Sequence, residues 1–183
     1  QVQPAAQYPE RLMQQGARVV IADAKLNPFD PTAGHKTLNY WPRLFALQEA
    51  AAKQTDEALH FSITNHLAGG AVSNVFLIKE GVLLTPIARG EEEEGSLPSA
   101  VLPGITRQAI REIAAGLNLG CATQMLTVTD ALDADEVFLT NSSWGVLPVV
   151  QVEAKAIGDG FVGPISKKFM ERYWQLVTEE TGP

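Results

Sequence analysis

The chain has 183 residues, 45% of them hydrophobic, enough apolar material for a buried core of one domain or one and a half. A formal net charge of −7, from 21 acidic and 14 basic residues, argues against nucleic acid or an anionic membrane surface as partner, because both require clustered Lys and Arg. The single cysteine, Cys121, excludes an internal disulfide framework and fits a reducing compartment, so the cytoplasm is expected; no apolar run approaches the ~20 residues of a membrane span, and Gln1–Gln15 lacks the order of a signal peptide.

In chain order, a short helix is expected at Glu10–Gln15, followed by a β-branched strand at Arg18–Ala22. The Pro, Asp and Gly content of Asn27–Gly34 predicts a loop. Leu44, Leu47, Ala51 and Ala52 recur at helical spacing in a segment rich in Ala and Gln, and predict a helix through about Lys53. Strand-like runs follow at Ala58–Ile63, Ser73–Ile78, Val82–Thr85, Cys121–Val128, Glu136–Thr140 and Val146–Val152. Between them, four consecutive glutamates within Ile87–Pro98 repel one another and predict a solvated loop. Ile105, Ala109, Ile110, Ile113, Ala114 and Leu117 form one apolar helical stripe, ended by Asn118 and Gly120, and a last helix is expected over about Ser166–Val177. Strands and helices mix without strict alternation, so the class is α/β (α+β), a mixed sheet with flanking helices.

Three places could carry chemistry. Gly104, Ile105 and Thr106 put backbone N–H groups and a hydroxyl at the opening of a helix, which suits a phosphate; the same residue types also start ordinary helices. Thr140-Asn141-Ser142-Ser143-Trp144-Gly145 is a hydroxyl-rich turn after a strand, where ligands often sit and where plain turns are commoner still. Lys36 lies between a Pro/Gly-rich loop and a helix, among the apolar and aromatic residues Leu38 and Tyr40, a setting that can desolvate an amine and make it an imine-forming nucleophile, although most lysines are surface charges. His35, His60 and His66 show no metal-ligand spacing, and no metal is expected.

Taken in order, Lys36-Thr37-Leu38-Asn39-Tyr40, Ser73-Asn74-Val75-Phe76, Thr85-Pro86, Leu102-Pro103-Gly104-Ile105-Thr106-Arg107, Ala134–Thr140 and Pro148-Val149 resemble the fold-type IV (class IV) pyridoxal 5′-phosphate (PLP) enzymes, over about Gly16 to Val177. The resemblance implies the large, PLP-binding domain of that fold across the chain, with residues 1–15 a leading segment. It implies that Lys36 holds PLP covalently and moves protons at the substrate Cα, and that Tyr40 stands against the cofactor's phenolic oxygen. Gly104, Ile105 and Thr106, with Asn141 and Ser142 of the turn, match its phosphate contacts. The turn from Thr140 to Val149 is more similar to 4-amino-4-deoxychorismate lyases, which release pyruvate and p-aminobenzoate on the folate route. Tyr40 points instead to branched-chain aminotransferases, the alternative, and a third reading is a catalytically silent or fragmentary PLP-fold domain with a binding role. An amino acid or aminodeoxychorismate substrate and a homodimer are implied by the same resemblance.

The chain departs from the pattern twice. Relatives of this kind begin with a smaller N-terminal domain of roughly a hundred residues, which would supply substrate contacts and an arginine for the phosphate, and this chain has none of it. The acidic residue that would pair with the pyridine nitrogen falls on Gly69. A weak or altered catalyst is therefore expected, with an unprotonated ring, a water, or Asn65 or His66 in the acid's place.

Overall fold

The structure, a computed structural model, describes residues 8–182; the first seven residues of the expected leading segment lie outside the described residues. Strands β1 (Ala17–Ile21), β2 (Glu57–Phe61), β3 (Leu67–Gly70), β4 (Asn74–Lys79), β5 (Val82–Pro86), β6 (Cys121–Gln124), β7 (Glu136–Asn141) and β8 (Gly145–Val152) form one sheet in the order β3-β2-β1-β8-β7-β4-β5-β6. The two-residue β9 (Lys155–Ala156) pairs with β8. Pairings of β1 with β2, β1 with β8 and β5 with β6 are parallel, and the others are antiparallel. The expected mixed sheet is therefore present. Five helices accompany it among the described residues: α1 (Glu10–Gln15), α2 (Trp41–Ala52), α3 (Ile105–Gly116), α4 (Val128–Leu132) and α5 (Pro164–Thr181).

Period-two alternation sorts the side chains into two faces. Val75 and Leu77 of β4, Val137 and Leu139 of β7, and Leu59 and Phe61 of β2 fill one core, with Leu12 of α1 and Ala131 of α4. On the other face, Phe76, Phe138 and Val146 meet Ile110 of α3 and Phe169 of α5, with Phe76 and Phe138 stacked at 5.1 Å. Ala46 and Ala50 of α2 cover Val20 of β1, Ala58 of β2 and Ala22 just after β1 on that same face. Helix α2 thus lies over one end of the sheet and α3 with α5 over the other, and the space between their N-termini stays open.

Several sequence expectations are corrected here. In α2 the buried residues are Ala46 and Ala50, while Leu44, Ala51 and Ala52 are exposed and Leu47 is half-buried. Small residues on both sides, Ala22, Ala58 and Ala71 among them, let the helix approach the strands closely, which the larger leucines would prevent. Ile105 is not core but 87% exposed, whereas Thr106 and Arg107 are buried. The run Cys121–Val128 is not one strand: β6 ends at Gln124, and Thr127 caps α4 in a reciprocal box with Asp130. Nor is the glutamate run wholly solvated. Glu91 pairs with Arg107 at 2.7 Å and with Arg111 at 2.8 Å, and Glu92 accepts the backbone N–H groups of Gly90 and Ser99.

Candidate functional site

A cavity of about 510 Å³ opens between the N-termini of α2 and α3. It gathers every site residue read from the sequence: Lys36 and Tyr40 from the segment leading into α2, Gly104, Ile105 and Thr106 from the start of α3, and Asn141 and Ser142 from the end of β7. A second cavity, of about 580 Å³, borders the loop 91–101 and contains none of them. No group of three or more His, Cys, Asp or Glu placed to hold a metal occurs among the described residues.

The α3 end of the cavity is built to receive an anion. Gly104 is the N-cap, in extended conformation, and no side chain caps the helix. The first-turn N–H groups therefore keep their hydrogen-bonding capacity and the positive end of the dipole faces the cavity. Two further residues fix this turn. Asn74, buried at the start of β4, donates through Nδ2 to the Leu102 carbonyl at 2.7 Å, and a Cβ on Gly104 would stand 2.1 Å from Asn74 Oδ1. Arg107, 2% exposed, donates to the Pro86 carbonyl at 2.9 Å and to Glu91. The hydrogen bond from Arg107 is the largest cause that brings the Glu91 carboxyl down to about 2.

Across from this turn, Asn141 Oδ1 accepts the N–H groups of Ser143 and Trp144 at 2.9 and 3.0 Å, which shapes the turn that presents Ser142. Thr140, register partner of Asn74, lines the cavity with a buried hydroxyl that has no protein partner. A phosphate with hydroxyl, amide and helix-dipole donors converging on it would fit this end, and the orphaned Thr140 hydroxyl marks the wall as polar.

At the α2 end the structure differs from the sequence reading. Lys36 is exposed, and its apolar neighbours Leu38 and Trp41 are themselves 101% and 69% exposed, so within this chain they do not desolvate the amine. Gly69 has φ 129°, and a Cβ there would stand 2.8 Å from the Ser73 carbonyl oxygen; no side chain, acidic or otherwise, enters that backbone without strain. Asn65 is exposed and bonded to Lys25, and His66 pairs with Thr64. Neither lines the cavity, which removes both as substitutes for the acid. Arg43 does line it, and its Nη1 donates to the Ala71 carbonyl at 2.9 Å. Arg43 and Asn74, which line the cavity through contacts between residues far apart in the chain, were not named as site residues from the sequence. Thr140 and Arg107 entered there only as members of the hydroxyl-rich turn and the helix-start motif, without a role of their own.

With the geometry in hand, comparison with known proteins identifies the class. The family model described as amino-transferase class IV matches residues 1–152, and the chain belongs to that family. It is 32% identical over 151 residues to the branched-chain-amino-acid aminotransferase of Escherichia coli (strain K12), an overlap of 82% of this chain and 46% of that one. With the Pseudomonas aeruginosa enzyme of the same name it shares 30% over 174 residues, 94% of this chain and 53% of that one. Among solved structures, the Escherichia coli branched-chain amino acid aminotransferase superposes with TM-score 0.83 at 30% identity, over 94% of this chain and 55% of that one. The PLP-form of the Thermobaculum terrenum branched-chain amino acid aminotransferase superposes with TM-score 0.82 at 26% identity, over 96% and 55%. The chain thus spans about half the length of the relatives it matches. These relatives carry the name of the alternative reading, not of the lyase put first from the sequence.

Proposed function

We propose that this chain holds PLP and forms the cofactor-binding part of a PLP-dependent transaminase acting on amino acids of the branched-chain class. The observation that carries the reading is the convergence, in one cavity, of Lys36, Tyr40, an uncapped helix start at Gly104–Thr106 and the turn at Ser142. When bound, PLP supplies the electron sink that loosens bonds at the substrate Cα. The protein's part is positional. The first-turn N–H groups of α3 and the hydroxyls of Thr106 and Ser142 hold the phosphate; Tyr40 faces the phenolic side of the ring; Lys36 Nζ carries the cofactor and passes the proton at Cα. The names of the relatives favour transamination, and the turn from Thr140 to Val149 is what keeps the lyase as the second reading. The homodimer implied by the resemblance belongs to the same proposal.

The test is spectroscopic and chemical. With PLP added, the full chain should show a visible band that shifts on addition of a branched-chain amino acid, with the 2-oxo acid formed. Lys36→Ala should abolish both. Release of pyruvate and p-aminobenzoate from aminodeoxychorismate, without transamination, would make the lyase the correct reading. A chain that holds PLP and turns over neither substrate is the silent domain.

A further inference from the structure

The cavity has a charged end that the phosphate seat does not use. Arg43 reaches it from the sheet-facing stripe of α2, one turn before the buried Ala46 and two before Ala50. Its bond to the Ala71 carbonyl fixes one edge of the guanidinium, and among the described residues its remaining N–H groups have no hydrogen-bond partner. The facing wall is bare. Gly70 lines it, and Gly69 beside it stands in a backbone conformation that strains any side chain. Among the described residues that line the cavity there is no Asp or Glu, while Lys36 and Arg43 are both present.

Two buried neighbours compete for a role here, and both are otherwise placed. Glu57 lies beside Gly70 but alternates with Leu59 and Phe61, toward the other core. Its oxygens accept from the N–H groups of Ala58 and Ala71 and from the Ser73 hydroxyl. His60 lies on the α2 face, opposite Gly69 in the β2–β3 register, with Nε2 unpartnered. It does not line the cavity, and its Nδ1 meets the Ala24 carbonyl at 3.3 Å. Burial, then that carbonyl bond, then the charge of Arg43 act on it, with the net effect of lowering its pKa, so the imidazole is neutral beside the guanidinium.

We infer that Arg43 is the partner of the PLP ring nitrogen in this cavity, donating an N–H to a pyridine nitrogen that is left unprotonated. The inference rests on the PLP reading above. A phosphate held at the α3 end would leave the Arg43 end of the cavity to the ring. A guanidinium is permanently charged and can only donate, so a ring nitrogen beside it must accept, and a second positive charge there is opposed by Coulomb repulsion in a partly dry site. The bond polarises the ring without protonating it. The electron sink is therefore shallower than one made by a carboxylate-paired, protonated ring, and Lys36 carries more of the burden at Cα.

The experiment uses the full chain loaded with PLP labelled with ¹⁵N in the ring. The ring signal of the wild type should lie in the range of an unprotonated, hydrogen-bonded nitrogen. Arg43→Met should move it toward a free pyridine and weaken PLP binding about ten- to a hundredfold, the effect of one lost hydrogen bond to a charged group. Arg43→Glu should move it into the protonated range. The carbocyclic analogue of PLP, with C–H in place of the ring nitrogen, should bind wild type more weakly than PLP does, and Arg43→Met no more weakly than wild type does. A protonated ring in the wild type, a signal indifferent to Arg43→Met, or equal wild-type affinity for PLP and the analogue overturns the inference. This last comparison needs no variant to fold. A variant that only raises the KM for the amino donor would mean that Arg43 binds the substrate carboxylate, which also overturns it. In each case reductive labelling of Lys36 shows whether the PLP reading survives; a wild type that takes up no PLP removes both.

Discussion

At residue 104 a single methyl group would block the proposed phosphate seat. The added Cβ would stand 2.1 Å from Asn74 Oδ1, and Asn74 is itself tied to Leu102, so the turn has nowhere to move. Gly104→Ala should destabilise the chain by about 1–3 kcal/mol, the usual cost of overpacking, and lower PLP affinity. Adding Asn74→Ala, which removes the obstructing oxygen, should restore part of the stability in chemical denaturation; an unchanged single variant would show that the turn is loose. Thr106→Val keeps volume and removes one donor, and PLP affinity should fall about ten- to a hundredfold by equilibrium titration. The uncapped helix start at Gly104–Thr106 was legible in the sequence because Gly, Thr and an apolar helical stripe are adjacent. Asn74 and Arg43 were not, since each acts on a segment 28 residues away and one sequence does not reveal such contacts.

The elements were legible where periodicity was long and failed where tertiary packing chose against size. Helix α3, all of the strands from β4 to β8 and the closing helix lie where apolar spacing put them, apart from the shortened β6. Strand β3, Leu-Ala-Gly-Gly, offers no β-branched residue and is made a strand by its pairing with β2. The Thr127–Asp130 capping box was not read from the sequence, where the run Cys121–Val128 reads as a single strand. The glutamate run misled for an electrostatic reason: its first member is drawn to Arg107 and Arg111, joining the loop to α3. Glu91→Gln should cost about 1–3 kcal/mol at neutral pH, as the loss of a charged partner for a buried arginine. The sign with pH follows from its depressed pKa. The stabilisation by Glu91 is fully present above its ordinary value of 4.5 and is lost as pH falls toward about 2. Denaturation curves of wild type and Glu91→Gln should therefore converge through that window, and a constant gap would mean that the pair is not what stabilises the loop.

On the scale of the whole molecule, membership of the class IV aminotransferase family was recognisable from six short motifs. The subclass pointed two ways, because its features, the turn at Ser142 and Tyr40, belong to different members. No described helix is long and apolar enough to cross a membrane. The outer side of α2 carries Trp41, Leu44 and Phe45, 69%, 47% and 46% exposed, at the i, i+3, i+4 spacing of an apolar stripe. If the proposed homodimer uses this stripe, Trp41→Ser combined with Phe45→Ser should shift the sedimentation mass from two chains to one; an unchanged mass places the interface elsewhere. The reading as a whole depends on one covalent bond. Borohydride reduction of the PLP-loaded full chain, followed by peptide mapping, should find the pyridoxyl mass on the peptide that contains Lys36 and on no other. A label at Lys25 or Lys79, or none at all, would contradict the assignment of the cavity.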